Sequence, residues 1–153
     1  MKRKLVVAGL AAALSAGIAT TAFAQAKPET LVKQRQSAMT LQGKYFGPLV
    51  GMLKGAVPYD ANVVARNAGY LEALSKMPWD GFAESTKGQK NTIALPVIWS
   101  DAAKFKQAQD QFQSAVAALV AASKSGDEAK VKAAIGDVGK NCGSCHDNFR
   151  EKQ

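Results

Sequence analysis

Between Asp127 and Phe149, the residues Val131, Ile135, Val138, Cys142, Cys145 and Phe149 follow one another at spacings of 4, 3, 4, 3 and 4. That alternation keeps one stripe of a helix turned toward a partner, and a strand, with its period of two, cannot use it. Asp127, directly after Gly126, is suited to cap the start of such a helix. The stripe carries both cysteines of the chain, and His146 stands beside them, one turn beyond Cys142. A chain with this feature must supply partner helices and must place its cysteines inside a packed interface.

Three earlier segments repeat the pattern. After Pro28, tolerated in a first helical turn, Val32, Gln36, Met39, Gly43, Phe46, Val50 and Leu53 form a seam that ends before Gly55 and Pro58. A second helix is expected from Asp60, carrying Val63, Asn67, Tyr70, Leu74 and Met77 and stopping at Pro78. A third opens at Ser100 or Asp101 with Ala102, Phe105, Gln109, Phe112, Val116 and Leu119, and fades from Ser123 to Gly126. Short connections make neighbours antiparallel, and Trp79 to Trp99, with Gly81, Gly88 and Pro96, is the one long loop. The expected fold is all-α, an antiparallel up-down-up-down four-helix bundle.

The N-terminus sets the compartment. Lys2, Arg3 and Lys4 precede an apolar, Ala-rich run that ends in Ala22-Phe23-Ala24, the pattern of a secretory signal peptide cleaved after Ala24. Residues 1–24 are therefore expected to be removed, leaving one domain, 25–153, in the periplasm and free of the membrane. Removal takes three of the 20 basic residues, against 12 acidic ones, and leaves a net charge of +5. The excess is spread along the chain without a basic run beside aromatic residues, which argues against nucleic acid as a partner.

Two cysteines in an oxidising compartment usually mean a disulfide. Here they are Cys142-Gly143-Ser144-Cys145, followed at once by the only histidine, His146. A structural zinc site needs about four ligands, and no further Cys or His exists to complete one. A thiol-disulfide active site prefers the start of a helix, where the dipole lowers a thiol pKa, whereas this motif lies near a helix end. Haem attachment fits the chemistry best: two thiols add to the two vinyl groups of one porphyrin edge, and the next residue offers an imidazole to iron. One covalent haem c per chain is expected, with Cys142, Cys145 and His146 binding the cofactor and His146 as the metal ligand.

The bundle with a near-C-terminal motif of this kind resembles cytochrome c prime, the class II cytochromes c, a family with this bundle topology. The resemblance runs through Arg35-Gln36-Ser37-Ala38-Met39, Lys54-Gly55, Pro58-Tyr59-Asp60, Leu74 to Trp79, Ile98-Trp99-Ser100-Asp101-Ala102-Ala103, Phe105-Lys106-Gln107, and Gly136-Asp137-Val138-Gly139 leading into Cys142-Gly143-Ser144-Cys145-His146-Asp147. It implies His146 on one face of the haem and Met39 over the other. A thioether can ligate haem iron and make a six-coordinate electron carrier. In this family the position of Met39 can instead hold a bulky residue that shields an open iron, and the preceding Arg35-Gln36 pair matches that branch. Five-coordinate iron is the expectation, with the Met39-ligated electron-transfer cytochrome as the alternative. Met52 and Met77 are expected to fill space.

An open face beside Met39 selects its ligands. Nitric oxide and carbon monoxide bind ferrous haem without a hydrogen-bond donor, whereas bound dioxygen gains from one. Nitric oxide binding or detoxification is the expected role, with a redox partner protein as a further possibility. Catalytic turnover is not expected, since no nucleophile and general base accompany the iron. The resemblance gives Arg35 a haem propionate as partner. Arg150, four residues after His146, lies one turn away, where it can tune the imidazole or meet a ligand. Trp79, Phe82 and Phe112 are expected to wall the haem, and the seam residues Gln36 and Gln109 to hydrogen-bond near its edge or lie at a wetter bundle end. The resemblance also implies a homodimer through the first helix, with Leu31, Leu49 and Met52 available off the seam.

Overall fold

The computed structural model describes residues 26–152; the expected leader and its cleavage site lie outside the described residues. Four long helices form the bundle: α1 (Pro28–Leu53), α2 (Ala61–Leu74), α4 (Ala102–Ser123) and α5 (Glu128–Phe149), with a single helical turn, α3 (Val97–Ser100), before α4. Each long helix packs on two others, α1 on α2, α2 on α4, α4 on α5 and α5 on α1, closing a square. The antiparallel sense is visible in the cross-contacts. Gln42 of α1 bonds near the end of α2 at Leu74 while Tyr45 bonds to Asn67, and Lys104 of α4 reaches Asn148 of α5.

Local chemistry sets the helix ends. Asp60 caps α2 by accepting from the amides of Asn62 (2.8 Å) and Val63 (3.1 Å), and Asp101 and Asp127 do the same for α4 and α5 through Lys104 and Lys130. Past α1, Gly55 takes φ of 70°, a left-handed conformation that closes the helix. The Ala56 amide then bonds the Gly51 carbonyl at 2.9 Å and the Gly55 amide bonds that of Met52 at 3.2 Å, so the last carbonyls of α1 are satisfied.

The main core joins Leu49, Met52, Val64, Ala68, Leu71, Phe112, Val116, Leu119, Val131, Ile135 and Val138 in the half of the bundle nearer the 54–60 and 124–127 connections. A second cluster of Ile98, Phe105 and Phe149, with Trp79 and Phe82 against it, lies at the opposite end. Between the two the bundle opens into a cavity.

Several expectations from the sequence need correction. The buried line of α1 is Val32, Arg35, Ala38, Gln42, Leu49 and Met52; the expected seam residues Gln36, Met39, Gly43 and Phe46 line the cavity beside it, whereas Leu53 is exposed. The stripe departs from the apolar seam because Arg35 and Gln42 are buried by specific hydrogen-bond partners, which outweigh their hydropathy. Leu49 and Met52 accordingly lie in the core of a single chain and are not available for a dimer surface. On α2 the inward residues are Val64, Asn67, Ala68, Leu71 and Leu74; Tyr70 and Met77 are exposed, Met77 because the helix ends at Leu74 before it. The 79–99 segment is more ordered than a plain loop, with 3-10 turns at Trp79–Phe82 and Glu84–Thr86 followed by α3.

Candidate functional site

The cavity measures about 510 Å³, within the ~300–1,000 Å³ usual for cofactor-sized sites. Its walls come from the N-terminal half of α1, the C-terminal end of α2, the N-terminal half of α4, the C-terminal end of α5 and the 79–98 segment. Cys142, Cys145, His146 and Arg150 line it from α5 and its C-cap, Arg35, Gln36 and Met39 from α1, Trp79 and Phe82 from the loop, and Phe112 from α4. All ten candidate site residues read from the sequence thus face one space. Gln109 does not line it. Of the methionines among the described residues, only Met39 does; Met52 is in the core and Met77 is 59% exposed.

The loop is fixed over the cavity by backbone and by one buried cation. The Leu95 amide bonds the Phe149 carbonyl at 3.0 Å and the Glu151 amide bonds that of Ile93 at 2.9 Å, so residues 93–95 pair with the end of α5 across the Ala94–Arg150 bridge. On the other side Arg35, only 3% exposed, donates to the Gly81 carbonyl at 2.5 Å and to the Thr92 hydroxyl, with its guanidinium 4.5 Å from the Phe82 ring centroid. Gly81 is required there by space: a Cβ would come within 2.8 Å of the Leu31 carbonyl oxygen and overlap the Arg35 side chain. Gln36 adds a rim contact, donating to the Asn91 carbonyl at 2.9 Å.

Aromatic packing continues the wall. Phe105 meets Phe82 edge-on at 4.9 Å and Phe149 at 5.1 Å between centroids, and Trp79 donates its indole N–H to the Ser75 carbonyl at 2.6 Å. Phe46, Phe105, Ile98 and Phe149 also line the cavity. They were readable as seam or loop residues but carried no signal separating a core contact from a site contact. Thr92, Ile93 and Ala94 reach the cavity only through the long-range pairing with residues 149–151, which leaves no trace in local sequence.

The electrostatics favour one of the three chemistries. Burial pushes the Cys142 thiol up to about 11, with the neighbouring Cys145 adding to the effect, and burial raises the Cys145 thiol as well. Both are therefore protonated at neutral pH, the reverse of a thiol-disulfide active site. Among the described residues no cluster of three or more His, Cys, Asp or Glu could hold a metal on its own. Burial, and next the Arg150 charge, lower the His146 pKa against an opposing effect of Asp147, which keeps the imidazole neutral and able to ligate.

The cavity fits a haem by its own chemistry. It is mostly apolar, yet two guanidinium groups border it, and the salt bridges found among the described residues include neither Arg35 nor Arg150. Arg150 Nε is sealed from solvent without a hydrogen-bond partner. A flat apolar group with anionic substituents, held by two thiols and an imidazole on one wall, matches each of these demands.

Comparison with known proteins agrees. A family model described as cytochrome c′ matches residues 30–150. Cytochrome c′ from Alcaligenes xylosoxydans xylosoxydans is 48% identical over 128 residues, covering 84% of this chain and 98% of the relative. The crystal structure of cytochrome c′ from Rubrivivax gelatinosus superposes with a TM-score of 0.78 at 46% identity, covering 82% of this chain and 98% of that one. A nitric oxide complex of a single-residue variant of cytochrome c prime from Alcaligenes xylosoxidans superposes with a TM-score of 0.78 at 47% identity, over 84% of this chain and 99% of its own. With a four-helix bundle, a haem-sized cavity and a match over most of its length, the chain belongs to the cytochrome c′ family, whose members carry a covalently attached c-type haem.

Proposed function

We propose that this chain is a periplasmic haem protein, exported by cleavage after Ala24, that binds nitric oxide and carbon monoxide beside Met39, with nitric oxide binding or detoxification as its role. In this reading Cys142 and Cys145 hold the haem through thioether bonds and His146 ligates its iron. Haem, when bound, would supply a redox-active iron able to take up diatomic gases.

The observation that carries the reading is the state of the polar groups around Met39. The Gln36 amide donates to the Asn91 carbonyl, the Gln42 amide to the Leu74 carbonyl, and Arg35 to Gly81 and Thr92. Met39 itself offers no donor. Each of these groups keeps further N–H donors, so the discrimination rests on Met39: dioxygen, which gains from a donor when bound, finds none on the residue beside it and is disfavoured relative to nitric oxide and carbon monoxide. His146 contributes a neutral imidazole, and Arg150, whose charge lowers the histidine pKa, tunes that ligand.

No helix among the described residues is long and apolar enough to cross a membrane, which is consistent with release after cleavage. A homodimer through α1 belongs to the same reading; Leu41 and Leu53, 40% and 37% exposed, are the large apolar residues that α1 leaves on the surface. The direct test is titration of the ferrous protein with nitric oxide, followed by absorption and electron paramagnetic resonance. Stoichiometric formation of one nitrosyl species per chain is expected. Absence of a nitrosyl signal would leave electron transfer as the role.

A further inference from the structure

Gln42 is a polar side chain, 9% exposed, on the wall of an otherwise mostly apolar cavity, three residues after Met39 on the same helix. Its Nε2 donates to the Leu74 carbonyl at 2.9 Å, at the end of α2, where that carbonyl also accepts from the Met77 amide at 3.2 Å. Because the partner is a carbonyl, which can only accept, the nitrogen must be the atom that faces it. The Gln42 amide is thereby locked in one orientation, with Oε1 turned away from Leu74.

Oε1 is an acceptor only, and it has no hydrogen bond to the described residues. Among sealed side-chain nitrogen and oxygen atoms, Arg150 Nε alone lacks a partner, so Oε1 keeps open surface. Gln42 lines the cavity, and the residue is otherwise buried. We propose that Gln42 is a specificity-determining residue: its Oε1 presents a fixed partial negative charge to the gas-binding space beside Met39. This inference rests on the reading of the Met39 side as the side where gas binds.

The consequence is selective. Dioxygen bound to ferrous haem draws electron density onto its outer atom, and an acceptor carbonyl repels it. Carbon monoxide and nitric oxide carry less charge and are disfavoured less. Gln42 would thus add repulsion to the lack of a donor on Met39 itself, and it would do so only while Leu74 holds the amide in place.

The test is the C–O stretching frequency of the ferrous carbonyl complex of the haem-loaded protein, wild type against Gln42→Leu, with Gln42→Met as a second variant should the first fail to fold. A negative partial charge near the bound oxygen atom raises the frequency, so removing it should move the band to lower wavenumber. A purely structural role for Gln42 would lower thermal stability and leave the band unmoved, which would overturn the proposal. A band that moves to higher wavenumber would mean that the second N–H of Gln42 faces the ligand, and would overturn it too. Absence of a carbonyl band in the wild type would overturn this inference together with the gas-binding reading, and so is told apart from a wild-type band that Gln42→Leu leaves in place.

Discussion

Arg35 and Gly81 are packed so closely that no side chain can stand between them: the Gly81 carbonyl accepts from Arg35 Nη1 at 2.5 Å, and a Cβ at position 81 would collide with the arginine stem. This single contact ties α1 to the first turn of the loop and sets a buried cation at the cavity wall. Gly81→Ala should therefore cost about 1–3 kcal/mol, the range for overpacking a filled site. Gly69→Ala, in α2 with nothing near its added Cβ, should instead gain up to about 1 kcal/mol from helix propensity. Chemical denaturation of both variants checks the opposite signs.

The guanidinium of Arg35 is buried with no acidic partner among the described residues, so its charge acts on whatever the cavity holds. Burial lowers its pKa, but an arginine stays charged at any working pH. A positive charge disfavours the oxidised, more positive iron. Arg35→Gln should lower the reduction potential by tens of millivolts, where ~59 mV is a tenfold change in a one-electron equilibrium. Spectroelectrochemistry at constant ionic strength measures it, and an unchanged potential would place the charge too far from the haem to matter.

The carboxyl of Asp127 is held below its ordinary value of 3.8, first by the hydrogen bond from the Lys130 amide and then by the Lys130 side chain. A carboxyl lowered in the folded state contributes stability that is complete above the unfolded value and lost as pH falls through the folded one. Asp127→Asn keeps a capping side chain but cannot titrate. The wild type should melt higher than this variant at pH 6, and the difference should begin to shrink as pH drops below about 4 and vanish only once pH is below the lowered folded-state value. Thermal melts across pH 3–6 follow the trend; a gap that persists in acid would argue against the cap charge.

How far the sequence revealed this site depends on the element. The α5 stripe, its Asp127 cap and the convergence of Cys142, Cys145 and His146 follow from a spacing rule that packing enforces residue by residue. On α1 the same rule put Gln36, Met39, Gly43 and Phe46 on the cavity but missed Arg35 and Gln42, which are buried against the carbonyls of Gly81 and Leu74; hydropathy does not register a polar group whose partner lies about 30–50 residues away. Met77 continued the α2 pattern on paper, yet Ser75 caps the helix before it and turns the chain into the loop; Tyr70 lies within α2 but on its outer side, against Tyr45 at 4.7 Å. The loop half of the cavity, Thr92 to Ala94, depends on backbone pairing with Phe149 and Glu151, which side-chain periodicity cannot encode.

Covalent attachment through the two cysteines has a simple readout. Wild type should retain haem stain in a denaturing gel. Cys142→Ser and Cys145→Ser should each retain it at reduced yield through the remaining thioether, and the double variant should lose it. Haem retained in the double variant would assign attachment elsewhere.

In the proposed function, iron held by His146 is left open on the side of Met39. The most direct measurement is the absorption spectrum of the reduced protein before and after carbon monoxide, in wild type and Met39→Ala. Wild type should bind carbon monoxide with a clear spectral shift, and Met39→Ala should bind it faster because a bulky shield is gone. A wild-type spectrum that ignores carbon monoxide, with binding appearing only in Met39→Ala, would make Met39 an iron ligand and the protein a six-coordinate electron carrier.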